Sequence, residues 1–145
     1  MKEPRLKSIM TPFPYSVELS APLTEARTLM DKHTVRHLPV TRQHELQGVI
    51  TDRDILLLLG PQSRSTDVKS LLVEDAYVED CYQVDLGQPL RIVLHEMAKR
   101  HIGSAVVTAH GRLAGIITAT DVFAAFADHL NNQFHHGESD PPEYA

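Results

Sequence analysis

Gly48-Val49-Ile50-Thr51-Asp52-Arg53-Asp54 and Gly115-Ile116-Ile117-Thr118-Ala119-Thr120-Asp121 are two versions of one phrase, set 67 residues apart. The spacing persists outward from them. Pro39-Val40-Thr41 lies over Val106-Val107-Thr108, Met30 over Met97, Pro22-Leu23 over Pro89-Leu90 and Val17 over Val84, with no gap. An ordered ladder of matches that keeps its spacing while the side chains between them drift marks a duplicated unit. Further upstream, Leu6-Lys7-Ser8-Ile9-Met10 resembles Val68-Lys69-Ser70-Leu71-Leu72 at a separation of 62 rather than 67, which gives the second copy extra residues around Glu74 to Cys81.

Pro22 and Pro89 each suit the first turn of a helix, where a missing N–H is no loss. Behind them Leu23, Ala26, Leu29, Met30 and His33, and again Leu90, Val93, Leu94 and Met97, recur at helical spacing. Two β-prone runs follow each stripe. They are Leu38 to Thr41 and Gln47 to Thr51, joined by the polar Arg42 to Glu45, and then Ala105 to Thr108 and Leu113 to Thr118, joined by a His110-Gly111 turn. A second helix is predicted from Asp52 to Leu59, stopped by Gly60-Pro61, and from Ala119 to Leu130. Val17 and Val84 mark a short extended segment ahead of each first helix, so the unit reads β-α-β-β-α and the fold class α/β. The chain divides into repeat 1 at 6–60, a polar linker at 61–67, repeat 2 at 68–131 and a tail at 132–145 expected to fray.

Composition narrows the function classes. A net charge of −5 with pI near 5.9 gives no basic face for nucleic acid, which needs its phosphates neutralised. The apolar runs are far shorter than the roughly 20 residues of a membrane span, and Met1 to Met10 has no apolar stretch of the secretory kind. The single cysteine, Cys81, reads as structural and agrees with a reducing compartment, so a cytoplasmic location is expected. The histidines do not fall at metal-ligand spacing with acidic partners, and no metal site is expected. Neither a nucleophile elbow nor a glycine-rich phosphate loop is present, so the chain does not read as an enzyme.

The two Gly-x-x-Thr-x-x-Asp stretches, with Ile9-Met10-Thr11-Pro12 ahead of the first and Arg36-His37-Leu38-Pro39-Val40 at its hairpin, resemble a tandem pair of cystathionine β-synthase (CBS) domains, a Bateman module, over about Leu6 to Asp128. The resemblance implies two repeats packed sheet to sheet about a pseudo-twofold axis, with clefts that hold an adenosine-containing ligand: AMP, ADP, ATP, S-adenosylmethionine or NAD. It also implies a flat homodimer that passes nucleotide state to an effector protein. The alternative is a scaffold of the same fold that binds no ligand and serves only dimerisation or docking.

Within that frame Asp54 and Asp121 are candidates to accept both hydroxyls of a ribose, and Thr51 and Thr118 stand beside them. The same Thr-x-x-Asp spacing is that of a helix capping box, which needs no ligand, and the two roles are compatible. Arg53 could meet phosphates at the first corner, and by resemblance Arg36 and His37 would join it. Thr120 and Gly103-Ser104 take those places in the second copy, so the first corner is expected to hold phosphates better. By resemblance, adenine would lie near Tyr15 and Val17, or Tyr82 and Val84, residues that ordinary core packing explains equally well.

Overall fold

A computed structural model of the chain describes residues 3–59 and 70–134. The order is α1 (Leu6–Ile9), β1 (Thr11–Pro12), β2 (Val17–Glu18), α2 (Leu23–His33), β3 (His37–Arg42), β4 (Glu45–Thr51) and α3 (Asp52–Leu59). After a 3₁₀ turn at Val73–Asp75 come β5 (Gln83–Asp85), α4 (Leu90–Arg100), β6 (Ser104–Ala109), β7 (Arg112–Thr118) and α5 (Ala119–Phe134). Each repeat is therefore β-α-β-β-α. Pro22 and Pro89 stand one place earlier than expected, as extended N-cap residues, and each helix stops at a left-handed C-cap, Thr34 and His101. Both hairpin loops are two residues in the left-handed region, Gln43-His44 and His110-Gly111, which matches the twist of the strands they join. The linker at 61–67 and the Gly60-Pro61 stop lie outside the described residues. So do residues 135–145 of the expected tail, while α5 continues to Phe134 and claims residues 132–134 for the helix.

Two sheets result, β2-β3-β4 and β1-β7-β6-β5. The hairpin strands β3, β4, β6 and β7 are each buried over three or four consecutive residues, on both faces, which is why they read as near-continuous apolar runs. Leu38, Val40 and Ile50 face α2 and α3 in one core, and Ala105, Val107 and Ile117 face α4 in the other. Val49, Val106 and Ile116 form a third cluster where sheet meets sheet. Val49 and Ile116 are equivalent residues, so the pseudo-twofold axis passes between them. Cys81 packs on this seam, and burial pushes its thiol up, away from the reactive thiolate.

The segments that precede the repeats cross over. Leu6 is 1% exposed inside the second repeat's core, and Thr11–Pro12 pair antiparallel with Ile116 and Gly115. Val73 is 0% exposed inside the first repeat's core, and Val78 bridges Val49. These contacts correct the register read from sequence upstream of Val17. Met10 N–H donates to Leu6 O as Tyr77 N–H donates to Val73 O, and Ser8 N–H donates to Arg5 O as Asp75 N–H donates to Leu72 O. Every pair is 67 apart, so the second copy has no extra residues. The repeated Lys-Ser identity had suggested 62.

The glycine of each corner has its reason here. A Cβ at Gly48 would collide with the Val78 carbonyl oxygen, and one at Gly115 would lie 2.6 Å from Met10 Sδ and 2.9 Å from Thr11 O. Each glycine opens the sheet to the segment crossing it.

Candidate functional site

At each strand-to-helix corner the threonine and aspartate cap one another. Thr51 N–H donates to Asp54 Oδ2 at 2.9 Å, and Asp54 N–H donates to Thr51 Oγ1 at 3.1 Å. Thr118 N–H donates to Asp121 Oδ2 at 2.9 Å, and Asp121 N–H to Thr118 Oγ1 at 3.4 Å. The capping box is real in both repeats, and it uses one carboxylate oxygen while leaving the side chain half-buried at the end of the sheet. The same bond leads into each helix: Asp52 N–H donates to Arg36 O and Ala119 N–H to Gly103 O, both at 3.0 Å.

The two corners differ in what reaches the second oxygen. Thr11, on the crossing segment, donates its hydroxyl to Asp121 Oδ1 at 3.1 Å, and the Thr118 hydroxyl donates to Oδ2 at 3.1 Å. Asp54 Oδ1 has no partner among the described residues, because Val78 stands where Thr11 does. Sequence reasoning passed over Thr11. Met10-Thr11-Pro12 was visible, but nothing local says that a two-residue strand lands on the far repeat.

His37 sits opposite Thr51 in the β3–β4 ladder and so shares its end of the sheet. A Cβ at Gly103 would lie 3.5 Å from its Cε1, which places the imidazole on the seam between repeats. Its Nδ1 is buried without a hydrogen-bond partner among the described residues. Burial lowers its pKa; Asp52 and Asp54 pull it up in part, and Arg36 pushes it down. Burial thus favours the neutral, hydrogen-bonding form of His37 over the imidazolium. Arg36 and Arg53 are exposed, and neither pairs with a carboxylate among the described residues, so the positive charge at this corner rests on them.

The four residues assigned to adenine divide. Val17 and Val84 are each 3% exposed within the cores, which leaves almost no side-chain surface for a ligand. Tyr15 stacks on His33 with ring centroids 3.6 Å apart, and the Arg100 guanidinium lies 4.6 Å from the Tyr82 centroid. Tyr15 matches Tyr82 and His33 matches Arg100, so both rings are held against the last residue of the helix beside them, at the same sheet end as the carboxylates. A cleft of about 410 Å³ opens between α2 and α3 of the first repeat. Its floor is Met30, Ile55 and Leu59, and its rim carries Arg27, Arg36, Asp31 and Asp52, so it adjoins the Thr51–Asp54 corner without including it.

Comparison with known proteins follows the same lines. The CBS domain family matches residues 6–60 and 73–128, the separation of 67 that the crossing segments show. The chain is 29% identical over 130 residues to the L-aspartate semialdehyde sulfurtransferase of Methanocaldococcus jannaschii, covering 87% of this chain but only 24% of that enzyme. It is 29% identical over 115 residues to hypoxic response protein 1 of Mycobacterium tuberculosis, covering 77% of this chain and 78% of the relative. Among solved structures, a protein described as an acetoin utilization protein (AcuB) from Vibrio cholerae superposes with a TM-score of 0.80 at 26% identity, over 97% of this chain and 100% of that one. The CBS domain pair of protein MJ0100, in complex with 5-methylthioadenosine and S-adenosyl-L-methionine, gives 0.73 at 25% identity over 85% of this chain and 99% of that one. The CBS domain of a bacterial CNNM/CorC family Mg2+ transporter, in complex with ATP, gives 0.72 at 26% identity over 85% of this chain and 87% of that one. With two matched repeats, a shared fold and mutually capped Thr-x-x-Asp corners, the chain belongs to the CBS domain family and is a tandem CBS pair.

Proposed function

We propose that this pair is a regulatory module that takes an adenosine-containing ligand at its carboxylate corner and passes the ligand's presence to a partner protein or through its own dimer, with no chemistry of its own. The observation that carries this reading is Asp54: a half-buried carboxylate fixed through one oxygen by Thr51 N–H, its other oxygen without a partner among the described residues. A fixed acceptor of this kind suits the neighbouring hydroxyls of a ribose. Arg36 and Arg53 supply charge for phosphates, and His37 supplies a neutral hydrogen bond. The adenosyl ligands of the MJ0100 pair and of the transporter domain support the same ligand class.

A thermal-shift panel with AMP, ADP, ATP, NAD, S-adenosylmethionine and GTP tests it, because a ligand at 100 times its Kd adds about 2.7 kcal/mol to the native state. Adenosine compounds should raise the midpoint, and Asp54→Asn, which keeps a capping oxygen but loses the charge, should abolish the rise.

A flat panel would favour the docking scaffold. One observation speaks for that reading too: Phe123, Phe126 and Phe134 on α5 are 72%, 60% and 74% exposed, and Leu56 and Leu57 on α3 are 69% and 71% exposed. Apolar faces of this kind suit a second copy of the chain. Light scattering reads that assembly directly.

A further inference from the structure

We propose that Thr11 decides which of the two corners is open, and that the second repeat's corner is closed to a ribose by the chain's own N-terminal segment. This rests on the adenosine reading above and adds a rule of occupancy to it. A ribose diol presents two O–H donors, so it needs two free lone-pair positions of the roughly four on a carboxylate. At Asp121 three positions are filled: Oδ2 accepts the Thr118 N–H and hydroxyl, and Oδ1 accepts the Thr11 hydroxyl. One remains. At Asp54 the Thr51 N–H is the one donor among the described residues, and three positions remain.

The cause is a single pair of equivalent residues. Thr11 pairs with Ile116 on β7, and Val78 bridges Val49 on β4, so the crossing segments bring both to the same place relative to their carboxylates. Valine offers a methyl where threonine offers a hydroxyl. The Thr11 hydroxyl thus occupies the place of a ribose hydroxyl from within. The segment behind it is held by the β1–β7 pairs, by Phe13 N–H donating to Ala114 O at 3.1 Å, and by Leu6 in the second core. Freeing Asp121 means breaking the Thr11 bond while this frame stays in place.

Calorimetric titration of the full chain with ATP and with S-adenosylmethionine tests the rule. The wild type should bind one ligand per chain, and Asp54→Asn should lose it. Thr11→Val keeps the β-branched shape and the strand, and should raise the stoichiometry to two, with the added site lost again in Thr11→Val/Asp121→Asn. Thr11→Ser, which keeps the hydroxyl, should stay at one. Val78→Thr, at a position 42% exposed, should weaken the Asp54 site about tenfold, the scale of one charge-assisted hydrogen bond. Two ligands on the wild type, one ligand that depends on Asp121, or a stoichiometry of one in Thr11→Val would each overturn the rule while leaving the adenosine reading intact. Absence of binding in every variant would overturn that reading, and the rule with it.

Discussion

Asp54 and Asp121 stand at the same corner of the same unit and keep different company. The backbone frame around them is shared: the capping bonds, the left-handed residues after α2 and α4, the two-residue loops and the rings held against the helix ends. Divergence gathers at the sheet end. Arg36, His37 and Arg53 face Gly103, Ser104 and Thr120, and Val78 answers Thr11. The frame tolerates little change because its capping bonds and loops hold the backbone path itself, whereas the corner is half open to water and can be re-equipped one side chain at a time.

The comparison can be broken first at the crossing segments. Leu6→Ala leaves a cavity in the second core and should cost about 2–5 kcal/mol in urea unfolding. Hydrogen exchange should then speed up at Val107 and Ile117 rather than at Val40 and Ile50; the reverse order would mean that Leu6 serves its own repeat. A smaller effect sharpens the difference between the glycines. Gly48→Ala drives a methyl deep into the Val78 backbone carbonyl, whereas at Gly115 the nearest atom is a methionine sulfur that can turn aside and the Thr11 carbonyl oxygen, at 2.9 Å, needs only a small shift. Gly48→Ala should cost about 2–3 kcal/mol and Gly115→Ala nearer about 1 kcal/mol, read from the same denaturation curves. Equal losses would mean that the second segment yields no more readily than the first.

The smallest effect concerns His37, whose counterpart Ser104 does not titrate. Burial lowers its folded pKa below the unfolded 6.5, so the unfolded chain binds the extra proton in that window. Its contribution is complete above pH 6.5 and falls away as pH drops through 6.5 toward the lower folded value. Thermal midpoints of the wild type and His37→Gln across pH 7 to 5 should converge toward the acid end. Parallel curves would place His37 in an environment no different from water.

Most of the architecture was legible because the fold is duplicated, and the separation of 67 between Thr51 and Thr118 carries the helices and hairpins with it. What stayed hidden was non-local. Thr11–Pro12 is too short for any period to show, and its partner lies in the other repeat. The Lys-Ser identity misled at 62 because surface residues can repeat by chance, whereas Leu6 and Val73 share only burial. Thr51 and Asp54 were readable as a cap and as a ligand corner alike, since both roles need the same atoms. Val17 and Val84 were open between adenine, by resemblance, and core packing, and the core takes both; two- and three-residue strands carry too little alternation to say which face a residue takes.

The exchange of segments also bears on how the chain matures. A growing chain exposes Leu6 and Thr11 well before their partners in β6 and β7 have been made, and the first core waits for Val73. Contacts of such long reach slow folding, because loop closure precedes any reward from them. The first core can therefore close once Val73 has been made, whereas the second closes only when Leu6, from ahead of the first repeat, packs onto it.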